Sequence, residues 1–94
     1  MIGITLEEMF EVLKNNHEVE FEFCDQSYII QPEQNGMCTQ LIIGIESDGD
    51  YIIASSSYNG DIDNECINAL LNEPCFNGKS FNDISGAVTI VSVY

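Results

Sequence analysis

The sequence contains no arginine, and its basic side chains apart from a single histidine are Lys14 and Lys79. Against these lysines stand 16 aspartate and glutamate residues, so that the 94 residues carry a formal net charge of −14. Such a chain is repelled by nucleic acid and by anionic membranes, and it is attracted to basic proteins. The acidity serves solubility in any case. Its size, beyond the roughly 2–8 charges of a small soluble domain, favours an additional role in binding a basic partner.

The sequence also lacks the signals of a metal site, a disulfide framework or a membrane span. The cysteines, Cys24, Cys38, Cys66 and Cys75, are irregularly spaced and form no CxxC pair, so we expect no zinc and no other cofactor. No apolar run approaches the roughly 20 residues of a membrane span. Residues 1–10 lack the basic and apolar regions of a signal peptide. We therefore expect a cytoplasmic protein with free, mostly buried thiols.

Motifs of common enzyme classes are missing as well. There is no phosphate loop and no dinucleotide fingerprint, and His17 lies near no recognised nucleophile motif. The acidic segments around residues 48–50 and 61–65 do not fit the EF-hand pattern of a calcium-binding loop. A chain this short leaves little room for a substrate cleft. The expectation is a binding protein that is not an enzyme and has no small-molecule substrate.

Two segments have helical periodicity. Within residues 5–15, Thr5 and Glu8 fit a capping box, and the apolar side chains that share one face are Leu6, Met9, Phe10 and Leu13. A second helix is predicted over residues 61–71, with an apolar stripe made of Ile62, Cys66, Ala69 and Leu70. Residues 75–85 are predicted to form a loop or a short helical turn around Phe81 and Ile84.

Strand patterns occupy most of the remaining chain. The predicted strands cover residues 18–23, 27–31, 39–45, 51–54 and 87–94. Pro32 should end the second strand or confine it to an edge, and residues 33–38 and 55–60 read as loops. An Asp-Gly pair between two β runs predicts a hairpin. The fold class is α+β in a single domain, 1–94. Its expected order is an N-terminal helix, a three- or four-stranded antiparallel sheet, a second helix and a C-terminal strand.

A row of carboxylates is the first candidate site. In residues 18–23 the two-residue period of a strand places Glu18, Glu20 and Glu22 on one face, about 6.6 Å apart. This row is either a solvated outer face or a rigid set of acids that binds lysines and arginines which normally hold phosphates. Like charges on one face lower stability, and the sequence has no arginine to offset them. This uncompensated cost is the reason to consider a binding role for the row.

Further acids and one aromatic residue are candidate partner contacts. The acidic residues at the hairpin tip either only form the turn or protrude as a contact for a partner. The acids at the start of the second helix either only stabilise the helix through its dipole or bind a partner. A tyrosine in the polar segment 55–60 is either an interface anchor or an edge of the core. These candidates are Asp48, Gly49, Asp50, Asp61, Asp63, Glu65 and Tyr58.

The hairpin sequence resembles that of a known family. Residues 39–43 (TQLII), Asp48-Gly49 and residues 51–53 (YII) are similar to the hairpin of small phage-encoded anti-CRISPR proteins that inhibit type II-A Cas9. The similarity extends to the opening helix, which ends Leu13-Lys14-Asn15, and to the late Phe-Asn-Asp stretch at residues 81–83.

This resemblance implies that the protein is a DNA mimic. In the family, an acidic surface occupies the cleft in which Cas9 reads the duplex motif (PAM) beside its target with arginines. By position, Asp48, Gly49 and Asp50 would contact guide-loaded Cas9 in the cytoplasm of a bacterial host. An acidic run of the family is replaced here by the residues NGKS at 77–80. The alternative is a small acidic immunity or regulatory protein that neutralises a basic toxin or another nucleic-acid-binding protein.

Overall fold

The sheet and the helices form two layers. The computed structural model of the chain describes residues 1–35, 38–46 and 51–94. The elements are α1 (Leu6–Lys14), β1 (Val19–Phe23), β2 (Gln26–Asn35), β3 (Cys38–Ile45), β4 (Tyr51–Tyr58), α2 (Asn64–Leu71), α3 (Phe81–Ile84), a 3₁₀ turn (Ser85–Ala87) and β5 (Thr89–Val93). The strands form one five-stranded sheet in the order β4-β3-β2-β1-β5, and every neighbouring pair is antiparallel. The predicted α+β class is confirmed.

Capping residues define where the helices begin. At α1 the Glu8 N–H donates to Thr5 Oγ1 and the Thr5 N–H donates to Glu8 Oε1, each at 3.1 Å, so the predicted capping box is confirmed. At α2 the Cys66 N–H donates to Asp63 Oδ1 at 2.8 Å. Asp63 is therefore the N-cap and α2 begins at Asn64, three residues later than predicted.

The buried face of α2 differs from the predicted stripe. The helix buries Cys66, Ile67, Leu70 and Leu71, whereas Ala69 is exposed. Ile62 is buried, but it lies before the first helical residue. The prediction failed at Ala69 because burying the larger apolar side chains of Ile67 and Leu71 is more favourable, and this orientation of the helix leaves Ala69 in solvent.

Two strands extend beyond their predicted ends. β2 continues through Pro32, which pairs with Leu41 of β3, whereas β1 pairs with β2 only as far as Ile30. Pro32 thus lies where β2 has a neighbour on one side, a position that tolerates the missing N–H. The prediction that Pro32 ends the strand is wrong. The alternative, that Pro32 requires an edge position, agrees with the unpaired side of β2 at this residue.

β4 also continues where a loop was predicted. Ser55, Ser56 and Ser57 pair with Ile42, Leu41 and Gln40 of β3. Pairing with a strongly apolar neighbour outweighs the low strand preference of serine, because strand preference depends on packing against the neighbouring strand. β3 and β4 are antiparallel neighbours, as the predicted hairpin requires.

The helices cover only one face of the sheet. The core cluster joins Met9 and Leu13 of α1, the buried face of α2, and Phe81 and Ile84 of α3 to the sheet residues Val19, Phe21, Ile30, Leu41, Ile43 and Ala54. Side chains that alternate with these sheet residues point to the other side, which no described helix covers. We call this side the open face. Ile42 lies there, is fully buried, and stands apart from the core cluster.

The first residues of the chain pack along the outer edge of β5. The Ile2 N–H donates to the Val88 carbonyl at 3.0 Å, and the Ile90 N–H donates to the Ile2 carbonyl at 2.7 Å. Gly3 follows with a φ of +114°, and a Cβ atom placed on it would lie 2.7 Å from the Ile90 Cβ. Both the backbone conformation and the close approach therefore require glycine at this position.

Replacing Gly3→Ala should lower the free energy of unfolding by about 1–3 kcal/mol, because the new methyl group meets Ile90 in an unfavourable backbone conformation. Urea unfolding followed by circular dichroism measures the change. The matched control is Gly86→Ala, where an added Cβ has nothing within 4 Å and the change should stay within about 0.5 kcal/mol. Equal effects of the two substitutions would contradict the close packing of Gly3 on β5.

Candidate acidic binding surface

The predicted carboxylate row lies on the open face. Val19 and Phe21 of β1 are buried and Phe23 is half-buried, so the alternating Glu20 and Glu22 point away from the helices. Glu18 lies directly before the strand, and its main chain is bonded to Tyr94 by hydrogen bonds of 3.2 and 2.8 Å. β1 and the main-chain bonds of Glu18 place the three residues in one row.

Among the described residues, no lysine lies beside this row. In cross-strand register Glu20 lies between Ile29 and Ser92, and Glu22 lies between Ser27 and Thr89. The two lysines lie on the helical side: Lys14 is in the last turn of α1, and the charge of Lys79 acts on Asp83 of α3. Neither lysine therefore lies beside the carboxylates, of which Glu22 is exposed and Glu18 and Glu20 are half-buried.

Glu20 is tied into a small polar cluster. The Tyr94 hydroxyl donates a hydrogen bond to Glu20, which is the main reason that the Glu20 pKa is below its usual value of 4.5. A hydrogen bond with the Glu46 side chain is the second cause. The hydrogen bond to Glu20 raises the pKa of Tyr94 above 10.0, because the phenol can no longer donate this bond once it ionises.

The open face holds acidic residues that the sequence patterns did not single out. Glu33 pairs in register with Gln40, on the same face as Ile42, and Glu46 reaches Glu20 from the end of β3. Glu46 was missed because β3 is apolar on both faces and therefore lacks the alternation that assigns a side. Tyr94 was missed because its place beside Glu18 depends on the non-local pairing of β1 with β5.

The acids at the start of α2 are separate from this face. Asp61, Asp63 and Glu65 are all exposed, but α2 packs on the opposite side of the sheet. Asp63 already has a structural role as the N-cap. The fold therefore divides the predicted acidic candidates into two surfaces.

The remaining candidates have mixed outcomes. Asp48, Gly49 and Asp50 lie outside the described residues. Tyr58 lies in β4 rather than in a loop, is half-buried and packs against the core cluster. This is a core-edge position. Burial also raises the pKa of Tyr58 above 10.0.

The histidine and the cysteines have structural surroundings. His17 Nδ1–H donates to the main-chain oxygen of Tyr94 at 2.7 Å and so joins the end of α1 to the chain beyond β5. The free thiol of Cys66 is buried and donates to the Ser56 carbonyl at 3.5 Å, Cys75 is half-buried and Cys24 is exposed. Burial raises the pKa of both Cys66 and Cys75. Within the described ranges no three His, Cys, Asp or Glu side chains form a group that could hold a metal ion.

Tyr94→Phe should raise the pKa of Glu20 towards 4.5, because the substitution removes the hydroxyl that stabilises the carboxylate. A depressed pKa contributes stability above pH 4.5 that is lost as the pH falls through the folded-state value, so the variant should lose less stability on acidification. A carboxyl-detected NMR titration measures the pKa. Tyr51→Phe, at an exposed tyrosine of β4, is the control and should leave Glu20 unchanged. A Glu20 pKa that stays low in Tyr94→Phe would contradict the assignment.

Comparison with known proteins finds no family model, no curated protein and no solved structure that matches the chain. Among the described residues, no helix is both long enough and apolar enough to cross a membrane.

Proposed function

We propose that this protein is a DNA mimic that binds a Cas9-type nuclease and inhibits it by occupying the site that reads the target DNA and its PAM. The observation that carries the proposal is the row of Glu18, Glu20 and Glu22 on the open face, which no described helix covers, with both lysines on the helical side. The resemblance of the hairpin sequence to anti-CRISPR proteins supports the choice of Cas9 among basic nucleic-acid-binding proteins. The protein would act in the cytoplasm of the bacterial host cell.

The mechanism is electrostatic occupancy without a chemical step. Arginine and lysine side chains in a DNA-binding cleft are placed to meet phosphates, and carboxylates held in line on a strand offer them charge-assisted hydrogen bonds. Long-range attraction to a chain of net charge −14 accelerates encounter. Because exposed charges are screened over about 8–10 Å at physiological salt, inhibition should weaken as salt rises. Neither bound nucleic acid nor a membrane is involved.

The first experiment measures target-DNA binding and cleavage by several guide-loaded type II-A Cas9 orthologues with increasing amounts of this protein. The expected result is dose-dependent loss of DNA binding with at least one orthologue. Asp48→Ala/Asp50→Ala tests the hairpin contact that the resemblance implies. Full cleavage by every orthologue at micromolar protein would contradict the proposal.

A matched pair of charge variants separates the carboxylate row from net charge. Glu18→Gln/Glu20→Gln/Glu22→Gln removes three charges from the open face while keeping side-chain shape. Asp61→Asn/Asp63→Asn/Glu65→Gln removes three charges at the start of α2, and asparagine retains the N-cap. The first variant should weaken inhibition by roughly tenfold or more, at about 0.5–1 kcal/mol for each contact, and the second should change it far less.

Other outcomes of this comparison discriminate between binding modes. Equal losses in both variants would mean that total charge acts, and not the row. A loss confined to the α2 variant would instead support an immunity or regulatory protein that neutralises its basic partner through the helix. Circular dichroism of both variants confirms that each remains folded.

A further inference from the structure

The two edges of the sheet differ in what covers them. β4 is the outermost strand on its side, and within residues 54–58 no main-chain group bonds to a described residue outside β3, apart from the Ser56 carbonyl, which accepts from the Cys66 thiol. At the opposite edge, Ile2 bonds to Val88 and Ile90 along β5. Among the described residues, the edge of β5 therefore has a covering segment and the edge of β4 has none.

Pro32 determines which main-chain groups of β4 point outward. In an antiparallel ladder, pairs that exchange both main-chain hydrogen bonds alternate with pairs that exchange none. Pro32 has no N–H, so its pair with Leu41 is of the second kind, and the main-chain groups of Leu41 point to β4. Leu41 pairs with Ser56, whose groups therefore point back to β3. The neighbouring Ser55 and Ser57 consequently direct their N–H and C=O groups out of the sheet.

β4 has few of the features that protect an edge strand from pairing. Such strands commonly carry lysine, proline or a bulge, but residues 51–58 (YIIASSSY) contain neither a charge nor a proline. The register shift opposite Ile43 and Gly44 lies near the start of β4, and residues 54–58 pair regularly with β3. Ser55 and Ser57 are exposed. A regular, uncharged edge of this kind can add an extended segment of another molecule as a strand.

Acidic residues lie beside this edge. The Cys66 thiol of α2 donates to the Ser56 carbonyl at 3.5 Å, and the Cys66 N–H donates to the Asp63 carboxylate at 2.8 Å. One residue of α2 thus joins the main chain of β4 to an exposed carboxylate. Asp61 and Glu65 lie two residues to either side of Asp63 and are also exposed, and neither lysine lies in β4 or α2. The surroundings of the edge therefore favour a segment with lysine or arginine side chains.

We propose that the outer edge of β4 binds an extended basic segment of a partner protein as a sixth strand. Its main chain bonds to Ser55 and Ser57, and its lysine or arginine side chains meet the acids around Asp63. A second copy of the chain is a poorer occupant, because two molecules of net charge −14 repel each other. The edge is separate from the carboxylate row, which lies three strands away. Failure of either proposal leaves the other standing, because the edge is tested with peptides and without a nuclease.

The test is an NMR titration of ¹⁵N-labelled protein with a capped peptide of alternating lysine and valine residues. Binding should shift the amide signals of Ser55 and Ser57 saturably and slow the exchange of both amide protons with solvent. Ile90, whose N–H is already bonded to Ile2, should stay unchanged. The control is the same peptide with every backbone amide N-methylated, which keeps the charges but cannot donate main-chain hydrogen bonds. Equal binding of the two peptides, or shifts centred on Glu20 and Glu22, would overturn the proposal.

Charge variants beside the edge give the second measurement. Asp61→Asn/Glu65→Gln leaves the N-cap in place and should weaken binding of the peptide roughly 2- to 30-fold, the range expected for two exposed ion pairs. The control Glu18→Gln/Glu22→Gln removes the same number of charges from the open face and should have little effect. Equal losses in the two variants would overturn the role of the acids beside the edge. Ser55 and Ser57 amide signals that shift with protein concentration in the absence of peptide would overturn the choice of a basic partner in favour of a second copy.

Discussion

The aromatic packing around Phe21 joins the sheet to the helices, and the direction of the acidic row depends on it. The ring stacks on Tyr28 at 5.2 Å and meets Phe81 edge-on at 5.1 Å, and the side chain is fully buried. Because strand side chains alternate, burial of Phe21 turns Glu20 and Glu22 to the open face. A slip of one residue in β1 would bury these carboxylates without partners, at a large cost in desolvation. The core therefore determines which side of the sheet is acidic.

This arrangement limits the electrostatic cost of so many like charges. Glu18 and Glu20 are half-buried and Glu22 is exposed, on a face that no described helix covers. In that high-dielectric setting repulsion between neighbours is modest and is screened by salt. A basic partner would replace repulsion by attraction, so the charges that lower the stability of the free protein would stabilise a complex.

Local signals in the sequence predicted the parts of the fold that depend on neighbouring residues. The capping box of Thr5 and Glu8 and the alternation in β1 were both confirmed, because each involves residues a few positions apart. Errors occurred where a distant strand decides the outcome. Residues 55–57 were predicted to form a loop, but they pair with β3. Pro32 was predicted to end β2 or to lie at an edge, and the strand continues because β2 pairs only with β3 at this residue.

The candidate site shows the same division. The positions of Glu18, Glu20 and Glu22 were predictable from their two-residue spacing. The link from Glu20 to Tyr94 and Glu46 was not, since it requires that β5 lie beside β1 and that β3 lie two strands away.

The position of β1 within the sheet bears on which acidic surface is better suited to binding. β1 pairs with β2 on one side and with β5 on the other, so its backbone is held along both edges. A partner that binds the row has to order only glutamate side chains, and one of them, Glu20, is already restrained by Tyr94. Less ordering leaves more of the interaction free energy as affinity. At the start of α2, by contrast, the carboxylate of Asp63 is engaged in the N-cap, and a partner that recruited it would weaken the helix. Each surface thus has one carboxylate with an internal hydrogen bond, Glu20 with Tyr94 and Asp63 with the Cys66 N–H, but only the second of these bonds caps a helix.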